Sequence, residues 1–365
     1  MTDHETYDRT RDAPAPVRTV APPAVPLPNE PYYQRAPQPR NAPRARGLGV
    51  ALVLVGLLLL AFQLFGRGLD VGSVGSITLV DKEYQGNRIE LSVAASDVEI
   101  RPDTGSSIHI EAIQRGGSEG DYQVNIEPSG ATLRVTESSR SFFCLFCSRG
   151  VRYRIAVPSG AQADIHTASG KIDVEGLSGA VSLASVSGDV RAGDLTGGLT
   201  VSTTSGEVQL NDIAGKLDVE SISGDVKLEN GKIDGATVNT TSGEVDLDGV
   251  AGALKLTSVS GDIRVRAARD GQLDVSTTSG EIKYAGSLAS KSASSLNSFS
   301  GDVNLQLPDA SDFRLDASTV SGDINSEFEL RDGEQARGNL SGTSGNGSTT
   351  LTIGTTSGDI DIERR

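Results

Sequence analysis

The chain has 365 residues, a net charge of −15, 43 Gly, no Trp and only 4% aromatic residues. This composition disfavours a large rounded core and points to one elongated body with accessory segments. Abundant Gly beside the Ser, Thr, Asp and Val of the second half suits short strands joined by tight turns. Residues 1–69 carry eight Arg against five acids, a balance of +3, so the remainder carries −18. An anionic body of that size argues against nucleic acid as a partner and favours solubility.

Ten of the 14 prolines fall between Pro14 and Pro43, in a stretch without apolar periodicity. Such a segment cannot bury enough surface to offset its ordering entropy, so residues 1–46 read as a disordered, Pro-rich cytoplasmic tail. It is either a plain tail or a ligand for proline-binding modules, with Tyr32 and Tyr33 as contacts or modification sites. Residues 47–66 hold no charge in 20 positions. At ~1.5 Å per residue they reach ~30 Å, the hydrocarbon thickness of a bilayer, and predict one transmembrane helix. The competing reading is a cleaved signal peptide. Against it, 46 residues precede the run, the run exceeds an ordinary apolar core, and no small-x-small site follows. Arg35, Arg40, Arg44 and Arg46 crowd the N-terminal flank, while Arg67 and Asp70 follow the run. The positive-inside rule then keeps the N-terminus cytoplasmic and exports residues 67–365.

Residues 67–166 read as a linker followed by irregular first coils or a cap, with strands at 88–93, 107–111 and 151–157. From 167 to 362 one tripeptide recurs, Ser-Gly followed by Asp or Glu, with its glycine at 188, 206, 224, 243, 261, 280, 301, 322 and 358. Ser169-Gly170-Lys171 is a variant ahead of them. Steps of 18 or 19 hold to Gly280, two steps of 21 follow, and the last step is 36, or two of 18. Around each mark apolar residues alternate with polar ones, as in Leu217-Asp-Val-Glu-Ser221, which is a strand pattern. An 18-residue coil cannot bury its apolar face alone, so neighbours must stack ~4.8 Å apart. About ten coils are expected, in a parallel β-solenoid roughly 50 Å long. Glycine at the corner is expected for its backbone freedom. Marks alternate between Val/Ile-Ser-Gly-Asp and Thr-Ser-Gly-Glu until Gly280, and residues 331–348 read as a loop or irregular coil.

The run Arg154-Ile-Ala-Val-Pro-Ser-Gly160, the Ser-Gly-acid ladder, and Gly345-Asn-Gly-Ser-Thr-Thr-Leu-Thr-Ile-Gly-Thr-Thr-Ser-Gly358-Asp-Ile-Asp-Ile362 together resemble a family of bacterial candidate-adhesin β-solenoids classed as a domain of unknown function. The resemblance covers roughly residues 80–362. It implies a parallel β-solenoid on a bacterial envelope protein and transfers no catalytic residues.

Candidate chemistry lies at four places. Asp189, Glu207, Asp225, Glu244, Asp262, Glu281, Asp302, Asp323 and Asp359 should stack on one edge. Neighbouring unit charges ~4.8 Å apart in water repel by roughly 0.9 kcal/mol, which is tolerable when solvated. Arg191, Lys227, Arg264 and Lys283, two residues on, are placed to pair with the acids. Divalent-cation binding is the functional alternative, but the calcium-solenoid nonapeptide is absent. Cys144 and Cys147, in an apolar stretch with Phe142, Phe143, Leu145 and Phe146, read as a local disulfide or buried thiols; the alternative is a sticky tip. Zinc would need two more ligands, and only His109 and His166 are to hand outside the tail. His166 reads as a surface or cap residue rather than a general base. Asn239, Asn339 and Asn346 begin glycosylation sequons.

The expectation is therefore an all-β, membrane-anchored structural or adhesin-like solenoid of the bacterial envelope. It is not an enzyme: no catalytic, cofactor-binding or metal residue is assigned, and no cofactor. Its partners are the lipid bilayer, through the single membrane helix, and an unidentified envelope or surface ligand. The alternatives are a sensor that signals through the cytoplasmic tail and, further behind, a polysaccharide-acting β-helix enzyme.

Overall fold

The alternating pattern of each repeat builds two short strands, one in each of two facing sheets. The computed structural model describes residues 76–116, 120–139 and 150–365. The segments assigned as tail (1–46) and membrane helix (47–66), and Cys144 and Cys147 with their apolar neighbours, lie outside these residues. Every regular element among the described residues is a strand, and no helix there is long and apolar enough to cross a membrane.

In each coil the strand before the Ser-Gly mark enters one sheet, called B, and the strand after it enters the other, A. Leu199–Thr203 pairs in parallel with Val181–Ser185 and with the second half of Val208–Ser221. After the corner, Val190–Leu195 and the first half of Val208–Ser221 stack in the same way in sheet A. Leu199, Val201, Val208 and Leu210 point inward and are buried. Burial of such aliphatic side chains contributes roughly 1.5–3 kcal/mol each. Register is kept from coil to coil, so like side chains form columns: Leu183, Val201, Val219, Val238, Leu256, Val275 and Leu296 are successive partners.

The described residues form twelve parallel coils: the ten that carry the repeat mark, as expected, and two earlier ones without the tripeptide, built by the strand pairs Arg88–Val93 with Asp97–Asp103 and Thr132–Ser139 with Gly150–Pro158. The coils do not stack in chain order at either end. Strand Arg88–Val93 lies between Thr132–Ser139 and Gln162–Thr167. At the other end Thr349–Ser357 lies between Ala293–Ser300 and Phe313–Ser321, and Ile360–Arg364 lies between Val303–Leu307 and Ile324–Ser326. The coil at Gly358 is thus inserted between those at Gly301 and Gly322. The long last step is not two coils in succession. Residues 331–348, expected as a loop, instead hold a hairpin of Arg331–Ala336 and Asn339–Ser344 that extends sheet B antiparallel to Phe313–Ser321. Antiparallel strands also close the first end, where Ser76–Gln85 pairs with Ser107–Arg115 and Tyr122–Ser129 with Thr132–Ser139.

Candidate functional site

The corner that leads from sheet B to sheet A reads Ser/Thr-x-Ser-Gly-acid in the repetitive coils, and its positions do different things. The glycines form a column. A Cβ on Gly188 would stand 1.9 Å from the Gly170 carbonyl oxygen, one on Gly206 2.0 Å from that of Gly188, and one on Gly224 1.9 Å from that of Gly206. The expected reason for glycine is therefore corrected. None of Gly188, Gly206 and Gly224 has positive φ; the position lacks room for a side chain against the coil below.

Three residues before each glycine a hydroxyl points inward, forming a buried column from Thr167 to Thr319. In the first coils it satisfies the corner: the Gly188 N–H donates to Ser185 Oγ (2.8 Å) and the Gly224 N–H to Ser221 Oγ (3.0 Å). The same two hydroxyls donate to the carbonyl of their own glycine, Ser185 Oγ to Gly188 (2.8 Å) and Ser221 Oγ to Gly224 (2.9 Å), whereas in the last coils the hydroxyl donates to the glycine of the neighbouring coil, Thr355 Oγ1 to the Gly301 carbonyl (3.1 Å) and Thr319 Oγ1 to that of Gly358 (3.0 Å). Sequence reasoning passed over this column, although a Ser or Thr at that fixed offset was its signal.

The acids are largely used by the stack itself. Asp189 Oδ1 accepts the Glu207 N–H, Asp225 that of Glu244, Asp262 that of Glu281, Asp302 that of Asp359 and Asp359 that of Asp323, at 2.8–3.2 Å. A short carboxylate reaches one coil up, which gives the Asp/Glu alternation a physical reason. The Glu side chains turn to other donors: Gln209 donates to Glu207, Lys283 to Glu281 at 2.7 Å, and Arg264 to Glu244. Lys283 and Arg264 thus pair with the ladder as expected, Arg264 also with Asp262 at 3.1 Å. Arg191 and Lys227 do not: Arg191 donates to Gln209 and Lys227 pairs with Glu229, because those partners stand beside them on the outer face of sheet A. Among the described residues no group of three or more His, Cys, Asp or Glu is placed to hold a metal ion.

Two residues before each glycine the side chain points out. The large hydrophobic residues that are exposed among the described residues, Ile222, Val259, Phe299 and Val320, all occupy this one position. Threonine alternates with them. Along the chain the alternation fails, since Phe299 and Val320 are consecutive. In space it holds, because the inserted coil brings Thr356 between them. The ridge therefore runs Val186, Thr204, Ile222, Thr241, Val259, Thr278, Phe299, Thr356, Val320. Apolar rungs recur every second coil, about 9.6 Å apart on ordinary strand spacing.

Beside the ridge lies the outer face of sheet B, where the column nearest the ridge is mostly uncharged and the next holds Asp218, Lys255, Asp274 and Asp316. The nearest column reads Ala184, Ser202, Glu220, Asn239, Thr257, Ser276, Asn297, Gly354 and Ser318. Ion pairs cross both outer faces, Arg266–Asp246 at 2.8 Å and Arg101–Asp173 at 2.9 Å on sheet A, and Arg134–Glu90 at 2.9 Å and Lys255–Asp274 at 3.7 Å on sheet B. His166 lies on the outer face of sheet B, 3.0 Å from Asp164, and that hydrogen bond first of all holds the Asp164 carboxyl below its ordinary value. His109 sits elsewhere, 2.8 Å from Asp81 on the first antiparallel pair. The structure does not bring the two histidines together. Of the sequons, Asn239 is on the outer face of sheet B, Asn339 begins the second strand of the C-terminal hairpin, and Asn346 lies in the turn that leads from it to Thr349–Ser357.

One half-buried carboxyl stands apart from the ladder. Glu137 accepts hydrogen bonds from Ser96 Oγ (2.6 Å) and from the buried Tyr153 hydroxyl (2.9 Å). Burial raises its pKa above the ordinary carboxyl value, and the hydrogen bonds offset only part of that. A carboxyl whose folded pKa is raised stabilises the fold below its unfolded pKa, and the contribution is lost as pH rises through the folded value. Glu137→Gln keeps an acceptor but cannot ionise. Urea midpoints from pH 3.5 upward should show the wild type losing stability relative to this variant as pH climbs above ~4.3. Parallel pH profiles for the two proteins would refute the assignment.

A family model described as Toastrack DUF4097 matches residues 86–286 and, again, 270–363. The chain is similar to the solved structure of a candidate cell adhesion protein from Clostridium sporogenes, at 12% identity over 78% of this chain and 100% of that one, with a TM-score of 0.23. It is also similar to that of a candidate adhesin from Bacteroides fragilis, at 12% identity over 80% and 98%, TM-score 0.32. A third, a candidate adhesin from Parabacteroides distasonis, is 10% identical over 81% and 99%, TM-score 0.25. No curated protein matches the sequence.

Proposed function

The chain belongs to the Toastrack DUF4097 family, and from that premise we propose that it is a non-catalytic, membrane-anchored adhesive protein of the bacterial envelope. Its solenoid binds outside the cytoplasm through the ridge and the outer face of sheet B. The anchoring rests on the uncharged run at 47–66 and its arginine-rich flank. The single observation that carries the binding role is the gathering of Ile222, Val259, Phe299 and Val320 on one ridge. An apolar stripe left open to water on an otherwise polar body is the mark of an interaction surface. The non-catalytic reading is supported by the acids of the corner, which bond to backbone amides and to Arg, Lys, Gln and Asn side chains.

The test uses the full chain in its own bacterium, compared with a deletion strain, in a surface-attachment assay. Changing Ile222, Val259, Phe299 and Val320 together to Thr should reduce attachment to the level of the deletion strain. Protease added to intact cells should strip the body equally from both proteins. Undiminished attachment by the fourfold variant would sink the adhesive reading, and a body protected from external protease would sink the topology.

A further inference from the structure

The two sheets do not end together. At the end of the stack opposite Ser76–Gln85, sheet B continues beyond Phe313–Ser321 for two more strands, Asn339–Ser344 and Arg331–Ala336, whereas sheet A stops at Ile324–Ser326. The missing partners leave their trace in exposure. Ile324 is only half-buried, although its register partners Ile360 and Val303 are fully buried, and every residue of Arg331–Ala336 is exposed. Between the two sheet ends run adjoining hollows of 540 and 680 Å³ that share Ile324, Asn325 and Gln335.

The backbone of Ile324–Ser326 is paired on one side only. Asp323 C=O accepts the Ile360 N–H and the Glu327 N–H donates to Ile362 C=O, both at 2.9 Å. In a parallel ladder the alternate residues then turn the other way. Ile324 and Ser326 therefore direct their N–H and C=O groups into the groove, where an extended chain would meet them. Its apolar floor is formed by Ile324, Phe328 and Leu340. Around it stand Glu327, Glu334, Asp361 and Glu363, none of them in an ion pair among the described residues, with Arg337 and Asp323 lining the second hollow. Asp361 accepts from Asn325, Glu363 from Gln306 and Glu327 from the Arg364 backbone N–H. The nearby Arg364 guanidinium lies over the Phe328 ring, 5.2 Å from its centroid.

We infer that this end of sheet A is a strand-addition site for an extended peptide segment of a partner protein that alternates cationic and apolar residues. Backbone hydrogen bonds to Ile324 and Ser326 supply the pairing, and the carboxylates select Lys or Arg. A second copy of this chain fits poorly, since it carries −15 overall and its strand Ser76–Gln85, at the edge of sheet A among the described residues, holds Asp81 and Glu83 against Lys82 alone. The site is separate from the ridge, so the fourfold Thr variant should leave it intact.

The experiment uses the full chain in lipid nanodiscs at ~0.15 M salt, so that diffuse attraction is screened. The probe is a synthetic octapeptide of alternating Lys and Val, compared with a backbone N-methylated version of equal charge and with an alternating Glu and Val peptide. The Lys–Val peptide should bind and slow amide exchange at Ile324 and Ser326, while the other two should bind at least about tenfold more weakly. Ile324→Pro, which removes an outward N–H without touching the pairing to Ile360–Arg364, should weaken binding about tenfold while circular dichroism shows the β fold retained. If that variant does not fold, Glu334→Lys with Glu363→Lys should show the same loss. Equal binding of the N-methylated or the Glu–Val peptide would overturn the proposal, as would self-association of the chain that Ile324→Pro abolishes.

Discussion

Gly224→Ala should destabilise the protein by more than ~3 kcal/mol, at the upper end of what overpacking a protein interior costs. The new methyl carbon would lie 1.9 Å from the Gly206 carbonyl oxygen, and the obstacle is backbone, which no rotamer change can move. Relief requires the two coils to part, stretching the Ser223 N–H to Thr204 C=O bond and the Val208 N–H to Asp225 C=O bond, both 2.9 Å long. Each coil is held mainly by its neighbours, so a break in the middle should also divide the cooperative unit. Urea unfolding followed by circular dichroism would show a lower midpoint and a broadened or split transition. Gly193→Ala is the control: its Cβ would meet Glu175 Cγ at 3.4 Å and nothing nearer, and it should change stability by less than about 0.5 kcal/mol. Equal effects at the two positions would contradict the close-packed glycine column.

Much of the fold was legible because its period is simple. The Ser-Gly-acid mark gives the corner, and alternation such as Leu217-Asp-Val-Glu-Ser221 gives the buried face on either side of it. What was not legible depends on which way a side chain faces at the corner. The hydroxyl of Thr203 and the side chain of Thr204 are adjacent in sequence and similar in chemistry, yet one enters the core and the other joins the ridge. Strand alternation continued from Leu199 and Val201 sends Thr203 inward and Thr204 outward, but a polar residue at the inward position disguises it. The alternation of acids likewise gave no reason for itself in the sequence, whereas in the stack the shorter Asp side chain has the length to cap the next coil's amide. Residues 331–336 offered no apolar alternation because both faces of that strand are open, so its only structural support, antiparallel pairing, left no mark in the sequence.

The stacking order was hidden for a more general reason: a repeat length reports distance along the chain and not which coil lies beside which. The 36-residue step from Gly322 to Gly358 fits two successive coils as well as it fits one hairpin followed by a return. Cross-linking separates these cases by an all-or-none result. Asn304 and Asp361 are direct register partners on adjacent outward-facing positions, and Asp361 is in turn the partner of Asn325. With Cys144 and Cys147 changed to Ser, an Asn304→Cys, Asp361→Cys pair would have Cα atoms ~4.8 Å apart, inside the range a disulfide accepts. An Asn304→Cys, Asn325→Cys pair would be two rungs apart, ~9.6 Å, and outside it. Oxidation should bridge the first pair and leave the second reduced. The first bridge closes the same 57-residue offset that separates Asp302 from Asp359, so the chain-entropy model gives about 4 kcal/mol of added stability before strain. If coils stacked in chain order the result would reverse, with 304 joined to 325 and 361 unreactive. The ridge depends on this same order, because only the inserted coil places Thr356 between Phe299 and Val320 and keeps its apolar rungs evenly spaced.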